Sequence, residues 1–446
     1  MLRYLTLAFF LAAPAFGDDW PQWLGPKRDG VWRETGLVDK FPKDGPKQLW
    51  TTKLGAGYAG PAVADGKVFV PDRQLAAESK APATGFATEE TGGVERTICL
   101  DAATGKELWK DEYPCKYKVQ YASGPRCTPL VEGEFVYTLG TMGDLRCLKV
   151  KDGSVVWSKN FVKDFAAKVP IWGFSTHPLV DGDKLLCVTG GTKENLVVAL
   201  NKKTGEVLWQ KESTEADCGY TPVTILEFDG IRQLIVWHGN AVLGLDPETG
   251  KRLWRQEFKT NYALTAPTPK KIGENLLVSA FYEGSMMLTP KKDSVAIAWK
   301  GKAKNEKPDG SDTLHSIMPT AYEVDGHIYG ICSYGELRCL KADTGKRVWE
   351  TRQPVVGSAK DEGKPVRWGN AFLTPQGDRF FLFNEQGELV IAKLTPEKYE
   401  EIDRAAIVKP TNKLAGRPVV WVHPAYANKR MYVRNDAEIV CVDLAK

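Results

Sequence analysis

The string LDAATGKELW, residues 100–109, returns almost unchanged as LNKKTGEVLW (200–209), LDPETGKRLW (245–254) and LKADTGKRVW (340–349), and more loosely as LKVKDGSVVW (148–157). A phrase repeated at this interval is the mark of a chain built from equivalent supersecondary units. Its residues explain themselves as a turn. An Asp or Asn side chain near the start bonds the backbone, Gly supplies a positive φ, and the Trp then stands on an outer strand where it can pack on the next unit. The seven Trp at this place are 50, 109, 157, 209, 254, 299 and 349.

Upstream of each phrase lies a second pattern: a Pro, a few apolar residues, an Asp-Gly type turn and an alternating strand. Examples are GPAVADGKVFV (60–70), TPLVEGEFVYTLG (128–140) and HPLVDGDKLLCVTG (177–190). The Pro recurs at 61, 129, 178, 222, 267 and 319, and again at 424 after a double interval. Each unit therefore reads as four short antiparallel strands. Six units are complete, and the fifth of these carries a degenerate phrase, LTPKKDSVAIAW. A seventh runs through residues 369–408, with Ile402 near the lost Trp. The eighth stops at the C-terminus just where its Trp strand should begin. GPKQLWTTKLG (45–55) has the opposite defect, a Trp strand with no phrase before it. The fold expected is an all-β, eight-bladed propeller of four-stranded blades, its ring closed by an N-terminal strand that completes the last blade.

Residues 1–17 read as a secretory signal peptide: Arg3, an apolar run, then small residues before Asp18. Residues 18–44 form a Trp-rich extension expected to pack along the outside or one face, and 45–446 form a single propeller domain. Residues 72–97 read as a mobile loop, and 300–316 and 352–366 as polar links between blades. Removing 1–17 takes away one Arg and no acid, so the net charge of +4 becomes +3. That balance gives no electrostatic case for nucleic acid. No later segment is long and apolar enough to span a bilayer. The mature chain is expected to be exported, periplasmic or secreted, and monomeric.

Of nine Cys, Cys99, Cys147, Cys339 and Cys441 occupy one slot just before the turn, where Ala199 and Gly244 stand in other units. They read as small buried side chains. Cys115 and Cys127 are the best candidates for a disulfide.

The repeated D-x-x-T-G-x-x-x-W phrase resembles the tryptophan-docking repeat of quinoprotein-type, or PQQ-like, eight-bladed propellers. One branch of that family contains exported alcohol and sugar dehydrogenases that bind pyrroloquinoline quinone (PQQ) and Ca²⁺. Another contains non-enzymatic propellers, including the propeller subunit of the outer-membrane β-barrel assembly machinery. The resemblance covers residues 45–446. From the enzymes the chain departs by lacking an adjacent Cys pair, a clear counterpart of the Ca²⁺ ligands and catalytic Asp, and a C-x-x-C-H motif. The leading expectation is a non-enzymatic scaffold for a protein or peptide partner, with no cofactor. The alternatives are a PQQ- and Ca²⁺-dependent oxidoreductase of alcohols or sugars, and a propeller that binds a carbohydrate or other small molecule.

A site would lie where the segments before each first strand meet at one end of the central channel. Those segments bring Tyr58, Tyr121, Arg126, Trp172, His177, Tyr220, Tyr262, His315, Trp368, Asn370 and His423. A ring of amphipathic aromatics with a few polar groups is the usual lining of a ligand pocket. No catalytic residue stands out. A metal site at His177, His315 and His423 is not expected, because these lie on different blades.

Overall fold

The computed structural model describes residues 19–213, 217–357, 364–414 and 416–446; the signal peptide read over 1–17 lies outside them. Eight four-stranded antiparallel sheets form the molecule. Blade 1 is built from Ala62–Ala64, Lys67–Leu75, Thr91–Asp101 and Glu107–Tyr117. The others follow in chain order. Blade 8 takes Ala425–Ala427, Arg430–Arg434 and Glu438–Asp443 from the C-terminus and Gln48–Lys53 from the N-terminus. The closing strand pairs antiparallel with Glu438–Asp443, Trp50 opposite Cys441. The eight-bladed ring and its closure are as the repeats required.

The register explains the phrase. Each Trp stands directly across from the residue in the small slot: Cys99 faces Trp109, Cys147 Trp157, Ala199 Trp209 and Cys339 Trp349. Gly244 faces Trp254 so closely that a β-carbon there would lie 2.2 Å from the indole. The residue before each Trp is bulged out of the ladder. Each indole then crosses to the next blade. Trp50 donates to Ala102 O at 3.0 Å, Trp109 to Val150 O at 3.0 Å and Trp299 to Ala342 O at 2.9 Å. Beneath the indole lies the Gly of the receiving phrase: at Gly105 (φ 70°) a β-carbon would come within 2.5 Å of the Trp50 ring. The Gly is thus needed twice, for its dihedral and for the absence of a side chain.

Three blades depart from this rule. In blade 3, Trp209 covers Gly250 of the next blade, but its Nε1 finds no acceptor among the described residues. Blade 5 has the degenerate phrase and offers Trp254 no docking carbonyl. Trp254 instead donates to Gln233 Oε1 at 2.6 Å, and the Gln233 amide donates onward to Lys291 O in blade 5 at 3.0 Å. In blade 7 the bulged residue is Ile402, so the Trp position belongs to Asp403, which faces Ile391. This corrects the reading that set Ile402 in the place of the lost Trp: the ladder slips by one residue before every Trp. The Asp403 carboxylate accepts the Phe41 N–H at 2.7 Å, tying down the N-terminal segment.

Residues 72–97 are not simply a mobile loop. Blade 1 extends its second and third strands as a long hairpin, paired as far as Leu75 opposite Gly93. Only residues 76–90 form the connecting loop. Of the two placements expected for the Trp-rich extension, the outside or one face, residues 19–37 take the second. They cross the channel, bonding to its first strands: Trp20 with Val63, Pro21 O with Val131 N, and Trp32 N with Pro375 O. Arg28 is buried in this strap. It donates to Val223 O and His177 O, both at 2.7 Å, and burial pushes its pKa down to about 9. All nine cysteines are buried and unpaired, Cys115 and Cys127 included.

Candidate functional site

The strap closes one end of the channel and leaves an aromatic funnel at the other. Trp23 is its floor, held by an Nε1–H bond to Thr268 Oγ1 at 3.0 Å. His177 and His423 flank the indole, with ring centroids 4.4 and 5.0 Å away. Above the floor rises a wall of rings from several blades. Trp172 packs on Tyr220 at 5.3 Å, and Tyr121 lies 6.2 Å from Trp421. Phe281, Tyr282 and Phe372 complete the wall around a cavity of about 220 Å³. Tyr121 (φ 52°) and Trp368 (φ 62°) hold left-handed backbone conformations, which bulky residues adopt only when their surroundings impose them.

Of the eleven residues singled out from the sequence, Tyr58, Tyr121, Arg126, Trp172, His177, Tyr220, Trp368 and His423 line this funnel. Three do not. Tyr262 sits on the rim, 62% exposed, beside Trp172 and Tyr282. His315 is fully buried and hydrogen-bonded to Ser333. Asn370 is fully buried with its amide on Trp368 O at 2.7 Å. Position before a first strand fixes height along the channel, but the turn in each segment decides whether a side chain faces the funnel or is turned out of it. Sequence reasoning also missed lining residues. Phe281 and Tyr282 come from the hairpin AFYEG, whose aromatic pair at a strand end was the available signal. Phe86 comes from an otherwise polar loop with no periodicity.

The polar groups are few and mostly engaged. Arg126 donates to Gln120 O at 3.0 Å and lies 5.2 Å over the Tyr58 ring. Trp172 Nε1 donates to Gln120 Oε1 at 3.1 Å and Trp421 Nε1 to Glu385 Oε2 at 2.9 Å. Glu385, buried behind the wall, also takes two bonds from Arg417. Among the described residues, none that lines the funnel is Asp, Glu, Asn or Gln.

Burial holds the flanking histidines neutral. The His423 pKa is pushed down to about 4; His177 also falls well below its ordinary value, through burial first and then the Arg28 charge. An unfolded chain takes up these protons near pH 6.5, so it binds more protons than the native state between pH 6.5 and 4. The stability due to the neutral rings is therefore complete above pH 6.5 and is lost as pH falls towards 4, on the order of 3 kcal/mol for His423. Urea midpoints should drop steeply over that interval, and His423→Gln should lessen the drop, leaving the share of His177, His238 and His315, which burial also holds low. A wild-type midpoint that stays level from pH 7 to 4.5 would refute this.

The family model described as outer membrane protein assembly factor BamB matches residues 93–351. The BamB of Yersinia pestis is 23% identical over 360 residues, covering 76% of this chain and 80% of that protein. A quinoprotein ethanol dehydrogenase of Pseudomonas aeruginosa is 26% identical over 147 residues, 30% of this chain, and the chain spans only 23% of that enzyme's length. Among solved structures, BamB from Moraxella catarrhalis superposes with a TM-score of 0.53 at 13% identity, over 89% of this chain and 97% of that one. The quinohemoprotein alcohol dehydrogenase of Comamonas testosteroni does so with a TM-score of 0.60 at 14% identity, over 96% and 81%. At such identities the two structures speak for the propeller fold alone.

Proposed function

The chain belongs to the family described as outer membrane protein assembly factor BamB, and from that premise we propose that it is an exported, non-enzymatic propeller. In this reading it binds a protein or peptide partner at the funnel and serves envelope or outer-membrane protein assembly. The observation that carries the reading is the chemistry of the funnel: a mostly aromatic wall completed by Leu264, Ile317 and Met318, a closed floor, and, among the described residues, no carboxylate or side-chain amide in its lining. Such a site suits a large apolar side chain presented by a partner, as buried aromatic anchors do at protein interfaces. A sugar would leave its hydroxyls short of partners there, at a cost for each one buried.

The oxidoreductase alternative needs a quinone held with Ca²⁺. That ion takes six to eight oxygen ligands, with carboxylates prominent among them. The funnel offers only phenol and serine hydroxyls as side-chain oxygens, and no cluster of three His, Cys, Asp or Glu occurs among the described residues. These residues do not fit the Ca²⁺-bound cofactor.

A titration with PQQ, with and without Ca²⁺, followed by Trp fluorescence and calorimetry, separates the two readings. The scaffold predicts no saturable, Ca²⁺-dependent binding up to high micromolar quinone. It also predicts that aromatic-bearing peptides selected from a displayed random library compete for the funnel. One-to-one, Ca²⁺-dependent quinone binding at micromolar affinity would overturn it.

A further inference from the structure

A second cavity, more polar than the funnel and about 580 Å³ in volume, opens beside it between blades 1 and 8. The two cavities share Tyr58 and Tyr121 in their walls. They also share a roof. Residues 81–85 of the blade-1 loop line the side chamber, and Phe86, the next residue, lines the funnel. Phe86 spans the mouth with its ring 5.4 Å from Tyr121 and 5.8 Å from Trp368, on opposite sides of the opening, yet is 49% exposed. The loop is fastened by few bonds, among them Ala76 N to Gly92 O at its base and Gly92 N to Ser79 Oγ.

The chamber's chemistry differs from the funnel's. Asp436 lines it with one carboxylate oxygen taken by Gly57 N at 3.1 Å. The other oxygen accepts no hydrogen bond among the described residues. Asn412 also lines the chamber, with its amide on Tyr58 OH and Ser123 Oγ at 3.1 and 3.2 Å. An apolar end joined to an end that accepts and donates hydrogen bonds matches a side chain continued by its own main chain.

We propose that the funnel and the side chamber are one bent groove for an extended peptide: a bulky aromatic side chain enters the funnel, and the adjoining main chain lies in the chamber beneath the 76–90 loop. Asp436 accepts a peptide N–H, and Phe86 covers the anchor. This rests on the funnel reading above and adds the second half of the site.

The test uses the full mature chain and two probes. One is 3-methylindole, the anchor ring with no peptide group. The other is a capped Gly/Ser peptide with a single central Trp. The peptide should bind wild type about tenfold more tightly than 3-methylindole. Asp436→Ala should bring that ratio close to one with the affinity for 3-methylindole unchanged. A second variant, with the loop between Ala76 and Gly92 replaced by an Asn-Gly hairpin turn, should do the same to the ratio and leaves Asp436 in place. A ratio of one on wild type, or a ratio that survives both variants, overturns the two-chamber groove while the funnel reading stands. Failure of 3-methylindole itself to bind wild type overturns both.

Discussion

A chain that begins at Leu54 loses its cooperative unfolding transition, and Trp50→Ala destabilises the full chain by about 3–5 kcal/mol. Both effects follow from where the N-terminal segment sits. Without residues 48–53, blade 8 keeps three strands, and the Glu438–Asp443 edge loses its partner. The strap goes with them. With it go the bonds that tie Val63, Val131, Val223, His177 and Pro375 across the channel. Six strand residues therefore close the ring, and the strap ties its blades together across the channel. Trp50 is the point where this closure is made: it is buried, donates to Ala102 O in blade 1 and covers Gly105. Trp209 is the control. It occupies the same place in blade 3, yet it is only part-buried and its Nε1 has no partner. Trp209→Ala should therefore cost less than half as much. Urea denaturation followed by circular dichroism measures both. Equal losses at the two sites would mean that closing the ring adds nothing to an ordinary blade contact.

The repeats made the architecture readable because each residue of the phrase has one local job that is the same in every blade. Asp101 accepts from the Ala103 and Thr104 amides, and Asn201 and Asp246 repeat this in their own turns. Periodicity carries such information from blade to blade. It carries none about what occurs once. The strap has no repeat to be aligned with, so its path through the channel could not be read, and neither could the role of Trp23 as a floor. Phe86 lies in a stretch of Ala, Thr, Glu and Gly whose composition suggested only mobility; the strand pairing on either side of it emerges from the hairpin register. Among the candidate site residues, the eight that meet in the funnel and the three that do not share the same sequence position. Asn370 and His315 are held out of the funnel by hydrogen bonds to Trp368 O and Ser333, which no spacing rule encodes. The Ile402 assignment failed for a related reason: the bulge that shifts the register is a backbone event with no residue signature of its own.

The double substitution Trp172→Ala with Trp368→Ala should remove binding of an aromatic anchor and leave the propeller folded. The two indoles stand on different blades, 3 and 7, and both are only half-buried. Trp172 spends its single donor on Gln120, and the Trp368 face is covered by the Arg367 guanidinium at 4.7 Å, itself paired with Glu306 at the surface. Neither side chain belongs to the strand ladders, so deleting them opens the funnel without unpairing a blade. For a ligand the loss is large. A ring stacked on each indole forfeits roughly 0.5–1.5 kcal/mol of aromatic contact per pair beyond the burial itself. Truncated anchors in desolvated pockets commonly cost 2 kcal/mol or more each. Together this amounts to about a hundredfold or more in Kd. The measurement is a pair: the urea midpoint of the variant, and its Kd for N-acetyltryptophanamide. A midpoint near wild type with binding gone supports a docking site. An unfolded variant would show that the rings plug the mouth as core, and the funnel would then be architecture. An unchanged Kd would move the anchor's contacts to Trp23 and Trp421, the remaining indoles of the funnel.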